Sequence, residues 1–348
     1  YGGLIAYGEN SNKITFTSNQ SSPAAGDWGP LTFADGSVDA NYSDNIYIDG
    51  SILKYCIIEY GEGVRMYNHP FIDYCTIRYN LGYATQFQTA RTKTQLITNC
   101  TIHNNGGGIN GGSGYSGTVI ISYNHIYNNV ITENYNDGAG IKADYATLIS
   151  HNVVENNSGA DEGGGIYAEN SRVVFNTVRG NSADEGAGVY FRGGDLLNNL
   201  IYENQGSGLY AYKISDNDSI VHNIILNNSG SGVQFNSSER YRGVFSNNII
   251  ADHDYPSGTI ISGGMTADYN NPYFEFSNNI IVNNNGNYLI SHYCYTGNSS
   301  ESNVLYFFNN LISNNTTSTY LINLSGNPSS YTNNNIFNNS SPYYLYNY

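Results

Sequence analysis

Positive charge is scarce in this chain: 13 Lys and Arg stand against 28 Asp and Glu in 348 residues, for a net charge of −15. Such a surface repels phosphate backbones and anionic lipid, which excludes nucleic acid and anionic membranes as partners. No apolar run approaches the ~20 residues that a membrane-crossing helix needs, so no membrane span is expected. No segment carries the Leu, Ala, Glu and Lys content or the 3.6-residue apolar period of a stable helix, so helical repeats are excluded as well. A leucine-rich repeat would need a recurrent Leu framework, and there is none. The four cysteines include no Cys-x-x-Cys pair, which removes the usual zinc signature. The chain opens Tyr1-Gly2-Gly3 without Met or a basic leader and reads as a processed or excised segment.

What is abundant is Asn, Gly and Tyr, and the Asn residues are periodic. A column residue recurs about every 25 positions, each time just before an aliphatic pair or near-pair. It runs Cys56, Cys75, Cys100, Asn124, Asn152, Asn176, Asn199, Asn223, Asn248, Asn279, Asn310 and, less cleanly, Asn335. Repeats of this length announce a solenoid. The apolar runs are short and β-branched, as in Thr118-Val119-Ile120-Ile121, and are separated by Asn and Gly clusters, so each repeat reads as strands and turns. The expected fold is all-β: a single-stranded parallel β-helix of about 12 or more coils, one domain over 1–348, with 1–50 as less regular N-terminal coils. Asn tolerates a left-handed backbone, so the column residue is expected at a sharp turn, and its amide is expected to bond the amides of the coils above and below. A second signature, Gly-X-Gly-aliphatic, recurs from Gly106 to Gly230 and marks the start of another strand.

Cys56, Cys75 and Cys100 share the column. At the strand spacing of about 4.8 Å their Cβ atoms fall outside the usual disulfide range of about 3.5–4.5 Å, so a buried thiol stack is expected rather than a disulfide or metal site. Cys294 has no partner in the pattern.

Several patterns could carry chemistry. Asp137, Asp161-Glu162 and Asp184-Glu185 precede the glycine signature in successive repeats. A vertical stack of these carboxylates would suit Ca²⁺, a glycosidase pair, or plain solvated turns. Asp144, Glu169 and Arg192 follow the same signature three positions later, which would let Glu169 act as an acid beside Arg192 or else form a surface ion ladder. Tyr167, Tyr190 and Tyr210 follow its aliphatic residue and are expected to point outward as a ligand-gripping stack. The seven histidines do not cluster in the sequence, and pectinase-type signatures (Gly-His-Gly, Asp-Asp, Arg-X-Pro-X-X-Arg) are absent, so the reading leans away from an enzyme. Sequons at Asn19, Asn41, Asn156, Asn217, Asn227, Asn236, Asn298, Asn315, Asn323 and Asn339 would accept glycans if glycosylation machinery were present.

Leu4-Ile5-Ala6-Tyr7-Gly8, Gly26-Asp27-Trp28-Gly29, Tyr55-Cys56-Ile57-Ile58-Glu59-Tyr60-Gly61 and Asp161-Glu162-Gly163-Gly164-Gly165-Ile166-Tyr167 together resemble secreted right-handed parallel β-helix repeat proteins of the pectate-lyase-like solenoid superfamily. The resemblance covers nearly the whole chain. It implies a right-handed solenoid exported to the cell surface or beyond, in a fold that hosts lyases, hydrolases, adhesins and filament or sheath subunits. Bare strand edges at the ends of a solenoid call either for further protein outside this segment or for docking against neighbouring copies, and the closing Tyr343, Tyr344, Tyr346 and Tyr348 agree with self-association, head-to-tail or lateral. The first functional expectation is therefore an extracellular structural or adhesive solenoid, a subunit of a filament, sheath or surface layer. The alternative is a carbohydrate-active enzyme (glycosidase or polysaccharide lyase) or a glycan-binding module, with extracellular glycans as partners.

Overall fold

The computed structural model describes residues 2–87, 93–112, 118–132, 137–145, 147–214, 218–236, 243–267, 273–296, 304–325 and 330–347. Every regular element among them is a β-strand. Apart from one antiparallel hairpin, Asn41–Ser43 with Ile46–Asp49, the paired strands are parallel. Two compact units divide the chain, Tyr1–Thr177 and Val178–Tyr348. Each is a stack of three-stranded coils, and thirteen short strands of one kind, from Ile14–Phe16 to Asn335–Phe337, mark the coils one by one. The all-β parallel solenoid expected from the repeats is what the chain forms.

One coil of the first unit shows the plan. Its first strand, Ile141–Asp144, begins at the aliphatic residue of the glycine signature. The second is Thr147–Ser150, and the third, Val153–Glu155, begins directly after the column residue. Each strand lies on its equivalent one coil away, with Ile141 opposite Ile166, Ile149 opposite Val173, and Val154 opposite Ile126. Alternation along a strand sends every second side chain inward. In the first unit the inward second-strand residues are aliphatic and fully buried: Ile72, Ile97, Ile121, Ile149 and Val173. In the second unit the same row begins with Leu196 and Ile220 and then changes to Phe245, Phe276, Phe307 and Tyr331, whose rings stack at 5.1, 5.1 and 5.2 Å. Like therefore sits on like, and each aromatic pair adds about 0.5–1.5 kcal/mol to the burial of its area.

The column is a buried amide ladder. Asn124 Nδ2 donates to Asn152 Oδ1 at 3.0 Å, and Asn152 Nδ2 to Asn176 Oδ1 at 3.0 Å. Each Oδ1 also accepts from the backbone N–H of the preceding ladder residue, as Asn152 Oδ1 does from Asn124 N at 2.9 Å. The second Nδ2 proton goes to a main-chain carbonyl, for Asn124 that of Ile97. A primary amide offers two donors and an acceptor with two lone pairs, so this arrangement satisfies the side chain completely. In the second unit the ladder ends on Asn334, which accepts from Asn310 at 2.9 Å, in place of the expected Asn335.

Two corrections follow from the backbone. The left-handed residue is the one before the column: Tyr55, Tyr74, Asn99, Tyr123, His151 and Phe175 have φ between 51° and 58° in the first unit. Its bend swings the next side chain into the turn, where the amide can reach both neighbours. A second ladder also stands five positions after the first. Asn80, Asn105, Asn129 and Asn157 form it in the first unit, and Asn181, Asn204, Asn228, His253, Asn284, Asn315 and Asn339 in the second. Asn315 and Asn339 are thus buried and fully bonded, which corrects their reading as glycan acceptors. Asn19, Asn41, Asn156 and Asn227 are exposed, and Asn323 is half-buried. Asn217 and Asn298 lie outside the described residues, as does the side chain of Asn236.

The three column cysteines are free and buried. Their thiols bond main-chain carbonyls of the turn, Cys75 to Leu53 O at 3.3 Å and Cys100 to Thr98 O at 3.1 Å. The thiol of Cys56 is raised well above its ordinary range by Cys75 and by burial, and burial raises that of Cys75. Such thiols are inert packing groups. Cys294 lies in the strand Asn285–Thr296 opposite Met265, and its side chain is outside the description.

Candidate functional site

Outward residues of a solenoid are free of the stacking constraint, so function is sought there. On the first-strand face of the first unit, alternation turns Lys142, Asp144, Tyr167 and Glu169 outward while Ile141, Ala143, Ile166 and Ala168 fill the interior. Asn170, with φ 45°, bends the chain just after Glu169. Lys142 Nζ pairs with Asp137 Oδ2 at 2.9 Å, both side chains about three-quarters covered, and lies 5.5 Å from the Tyr167 ring centroid. Glu169 collects two phenols: Tyr145 OH donates to Oε1 at 3.0 Å and Tyr167 OH to Oε2 at 3.3 Å. The main chain holds the same group, with Tyr145 N donating to Glu169 O at 2.7 Å and Tyr83 OH to Asp137 O at 3.2 Å. One face thus gathers an ammonium, two carboxylates and two phenols, half-sheltered from water.

The same face of the second unit carries Tyr190 and Tyr210, stacked at 5.0 Å with their planes 10° apart. Arg192 lies 5.4 Å over the Tyr212 ring, and Lys213 approaches that ring at 5.4 Å as well. The expected accessible tyrosine stack is corrected here. Tyr167, Tyr190 and Tyr210 retain only 5%, 3% and 1% exposure, and the rings of Tyr190 and Tyr210, repeated at coil spacing, cover one another. They are walls, not grips.

The acidic residues before the glycine signature are placed less closely than the sequence suggests. Asp161 and Glu162 sit half-buried in the strand Ala160–Glu162, where Glu162 O accepts from Gly138 N at 2.9 Å. Asp184 is exposed and Glu185 half-buried in Ala183–Glu185. Among the described residues no three His, Cys, Asp or Glu side chains converge as metal ligands.

A second group was not legible as a cluster. On the third-strand face of the first unit, Glu59, Arg78, His103, Tyr127 and Glu155 occupy the same outward place in successive coils. Arg78 Nε pairs with Glu59 Oε2 at 2.8 Å, and His125 Nε2 with Glu155 Oε1 at 2.6 Å. Tyr127 is flanked by His103 at 4.7 Å and His125 at 4.4 Å. The histidines do meet, because His103 stands three places after its column residue and His125 one place after its own. Counting outward positions from the column would have found them.

No curated protein matches the sequence. Among solved structures, the chain is similar to the A-module of the Azotobacter vinelandii mannuronan C-5 epimerase AlgE6, at 14% identity and TM-score 0.41 over 96% of this chain and 81% of that one. A variant of the periplasmic alginate epimerase AlgG follows at 12% identity and TM-score 0.33, over 84% and 76%. The Agl-KA catalytic domain is similar at 12% identity and TM-score 0.32, over 85% and 60%. At such identities the likeness is one of fold. The family model for the right-handed β-helix region matches residues 38–196 and 131–271, and the chain belongs to that family. Among the described residues, no helix is long and apolar enough to cross a membrane.

Proposed function

We propose that the protein is a carbohydrate-active enzyme of the glycosidase or polysaccharide-lyase kind, working outside the cell through the first-strand face of its first unit. The observation that carries this reading is Glu169 with two phenols on its oxygens, beside the Lys142–Asp137 pair. Cleaving a glycan requires a group that takes a proton, a group that returns one, and a charge that steadies the intermediate. Glu169 can take a proton from the glycan and return it, Tyr145 and Tyr167 hold its two oxygens in place, and Lys142 supplies the positive charge. The named epimerases act on mannuronan and alginate; the present reading rests on the side chains of this chain.

The test is a panel of neutral and uronate polysaccharides, read for new reducing ends and for unsaturated products. Cleavage by the intact protein, with Glu169→Gln and Tyr167→Phe each slower by about 100-fold or more, is the expected result. Rates untouched by both substitutions, or silence across the panel, would sink it. Unsaturated ends would mark a lyase and saturated ends a hydrolase.

A structural or adhesive role is the second reading, favoured by one observation. The third-strand face of the second unit is aliphatic, with Ile224 and Ile280 each 37% exposed and Leu200, Leu226, Ile249, Val282 and Leu311 half-buried around them. Electron microscopy of concentrated protein would show ordered assemblies under this reading, and Ile224→Lys with Ile280→Lys would disperse them.

A further inference from the structure

His253 is the one ladder position among the described residues of the second unit that is filled by neither Asn nor a left-handed neighbour's side chain but by a titratable ring. Where an amide stands, its Oδ1 accepts from both the main chain and the side chain of the preceding coil, as Asn284 accepts from His253 N at 3.1 Å and Nδ1 at 3.0 Å. An amide oxygen only accepts, so Nδ1 of His253 must carry a proton. Nε2 is then the ring's single acceptor, and it faces Asn228 Nδ2 at 3.3 Å. The ladder polarity therefore selects one neutral tautomer. A proton on Nε2 would set donor against donor inside the turn.

The surroundings give the ring no escape. His253 is 1% exposed. A Cβ placed on Gly232 of the preceding coil would lie 2.9 Å from Cε1 and 3.0 Å from Nε2, so that backbone is already in contact with the ring. The charged groups beside it are Asp252, at its own turn, and Asp254 on the strand that follows. Both are exposed, and they are engaged by Asn283 and Asn285. The coils above and below present amides, Asn228 and Asn284.

We propose that His253 is an acid-sensitive joint in the second unit: protonation sets donor against donor at Asn228, breaks the ladder there and lets the coils on either side loosen. Burial holds the imidazole down to about 4, against Asn284 and Asp252, which act the other way. Unfolded chain accepts the proton first, so protection is complete above pH ~6.5 and falls as the pH drops toward 4. The ladders described in the first unit hold only thiols and amides, and carry no such group.

The substitution that tests this is His253→Asn, because Asn fills the equivalent place in the neighbouring coils. Hydrogen exchange of the full-length protein, corrected for intrinsic rates, would be followed from pH 7 to 3.5 on peptides spanning 224–236, 248–260 and 279–290. In the wild type these peptides lose protection by tenfold or more below pH ~5, while peptides spanning 101–130 hold. The variant loses at least tenfold less protection than the wild type over the same range, its remaining loss being that of the buried His292, which both proteins carry. Parallel loss in wild type and variant would overturn the joint, and so would a variant that fails to fold at pH 7, since Asn must fit a ladder place. Nitrogen-detected NMR of the His253 ring supplies a second readout: an Nε2–H tautomer at pH 7 would overturn the proposal by itself.

Discussion

The two units share one coil plan and differ in what fills it. The first turn of the first unit opens on three thiols and continues with amides, while its left-handed positions are mostly aromatic: Tyr55 stacks on Tyr74 at 5.0 Å, and His151 lies between Tyr123 at 4.8 Å and Phe175 at 5.1 Å. In the second unit, amides fill both the column and most of the left-handed places, at Asn198, Asn247, Asn278, Asn309 and Asn333. Its second-strand row turns aromatic from Phe245 onward, where that of the first unit is aliphatic throughout. Outside, the third strands of the first unit carry Glu59, Arg78, His103, Tyr127 and Glu155, and those of the second begin with Arg179 and Tyr202 and turn apolar at Leu226, Ala251 and Val282 before Ser313 and Phe337. The lesson is that a coil asks for a match with the next coil rather than for a particular residue. Thiol on thiol, amide on amide and ring on ring all satisfy it, and only the outward rows are left to differ by task.

The sharpest way to break this rule is to mismatch a ladder. Asn129→Leu deletes the acceptor for Asn105 N and Asn105 Nδ2 and a donor to Ile102 O. With about 1–3 kcal/mol for each orphaned buried group, the loss is on the order of 5 kcal/mol, measurable as a lower denaturant midpoint. Cys75→Ala, which removes only weak thiol bonds, should lower that midpoint far less. If the two losses were equal, the amide would be no more than a spacer.

A smaller effect separates the two cores. His292 points into the second unit's aromatic interior, stacked on Phe274 at 6.0 Å, with Nε2 unbonded among Phe235, Ile261, Phe276 and Leu324. Burial pushes its imidazole down to about 4. The folded value lies below the ordinary 6.5, so stability is intact above pH ~6.5 and is lost as the pH falls toward 4, by about 3 kcal/mol. His292→Leu, matching Leu324 in the next coil, should remove this share of the slope from melts recorded between pH 7 and 4 and leave the share that comes from His253. An unchanged slope would place the acid sensitivity elsewhere.

The smallest effect tests the left-handed places themselves. Tyr123, at φ 58°, holds a conformation that is easier for Asn, and its ring is 59% exposed. Tyr123→Asn relieves about 1 kcal/mol of backbone strain and gives up a stack on His151 worth about as much. A stability change within about 1 kcal/mol is expected from the denaturant midpoint. A loss of several would show that the aromatic ladder matters more than the turn it decorates.

Much of this was legible because the first column announces itself. Each member is followed by an aliphatic pair that must turn inward, so hydrophobic periodicity and the Asn repeat point to the same register. The second ladder was hidden: Asn80, Asn105 and Asn129 are followed by turn residues, and in an Asn-rich chain they look like more punctuation. Asn335 reads as the column residue in place of Asn334 because it directly precedes Ile336. The cysteine stack was readable from geometry alone. The tyrosine face was half readable, because alternation gives the direction of a side chain but not what its neighbours cover. Which outward groups meet depends on coil lengths that vary from 19 residues, Cys56 to Cys75, to 31, Asn248 to Asn279, and no single offset in the sequence reveals that.

The ladder also dictates an order of assembly. Each amide in it donates to the residue about one turn later in the chain, as Asn124 does to Asn152 and Asn223 to Asn248. A newly laid coil therefore presents unmatched donors until the next one arrives, and each arriving coil both closes the last and opens the following. Growth by such a rule has a direction and a moving front, with contacts reaching only about 25 residues along the chain. A chain emerging slowly from one end could fold behind that front as it appears.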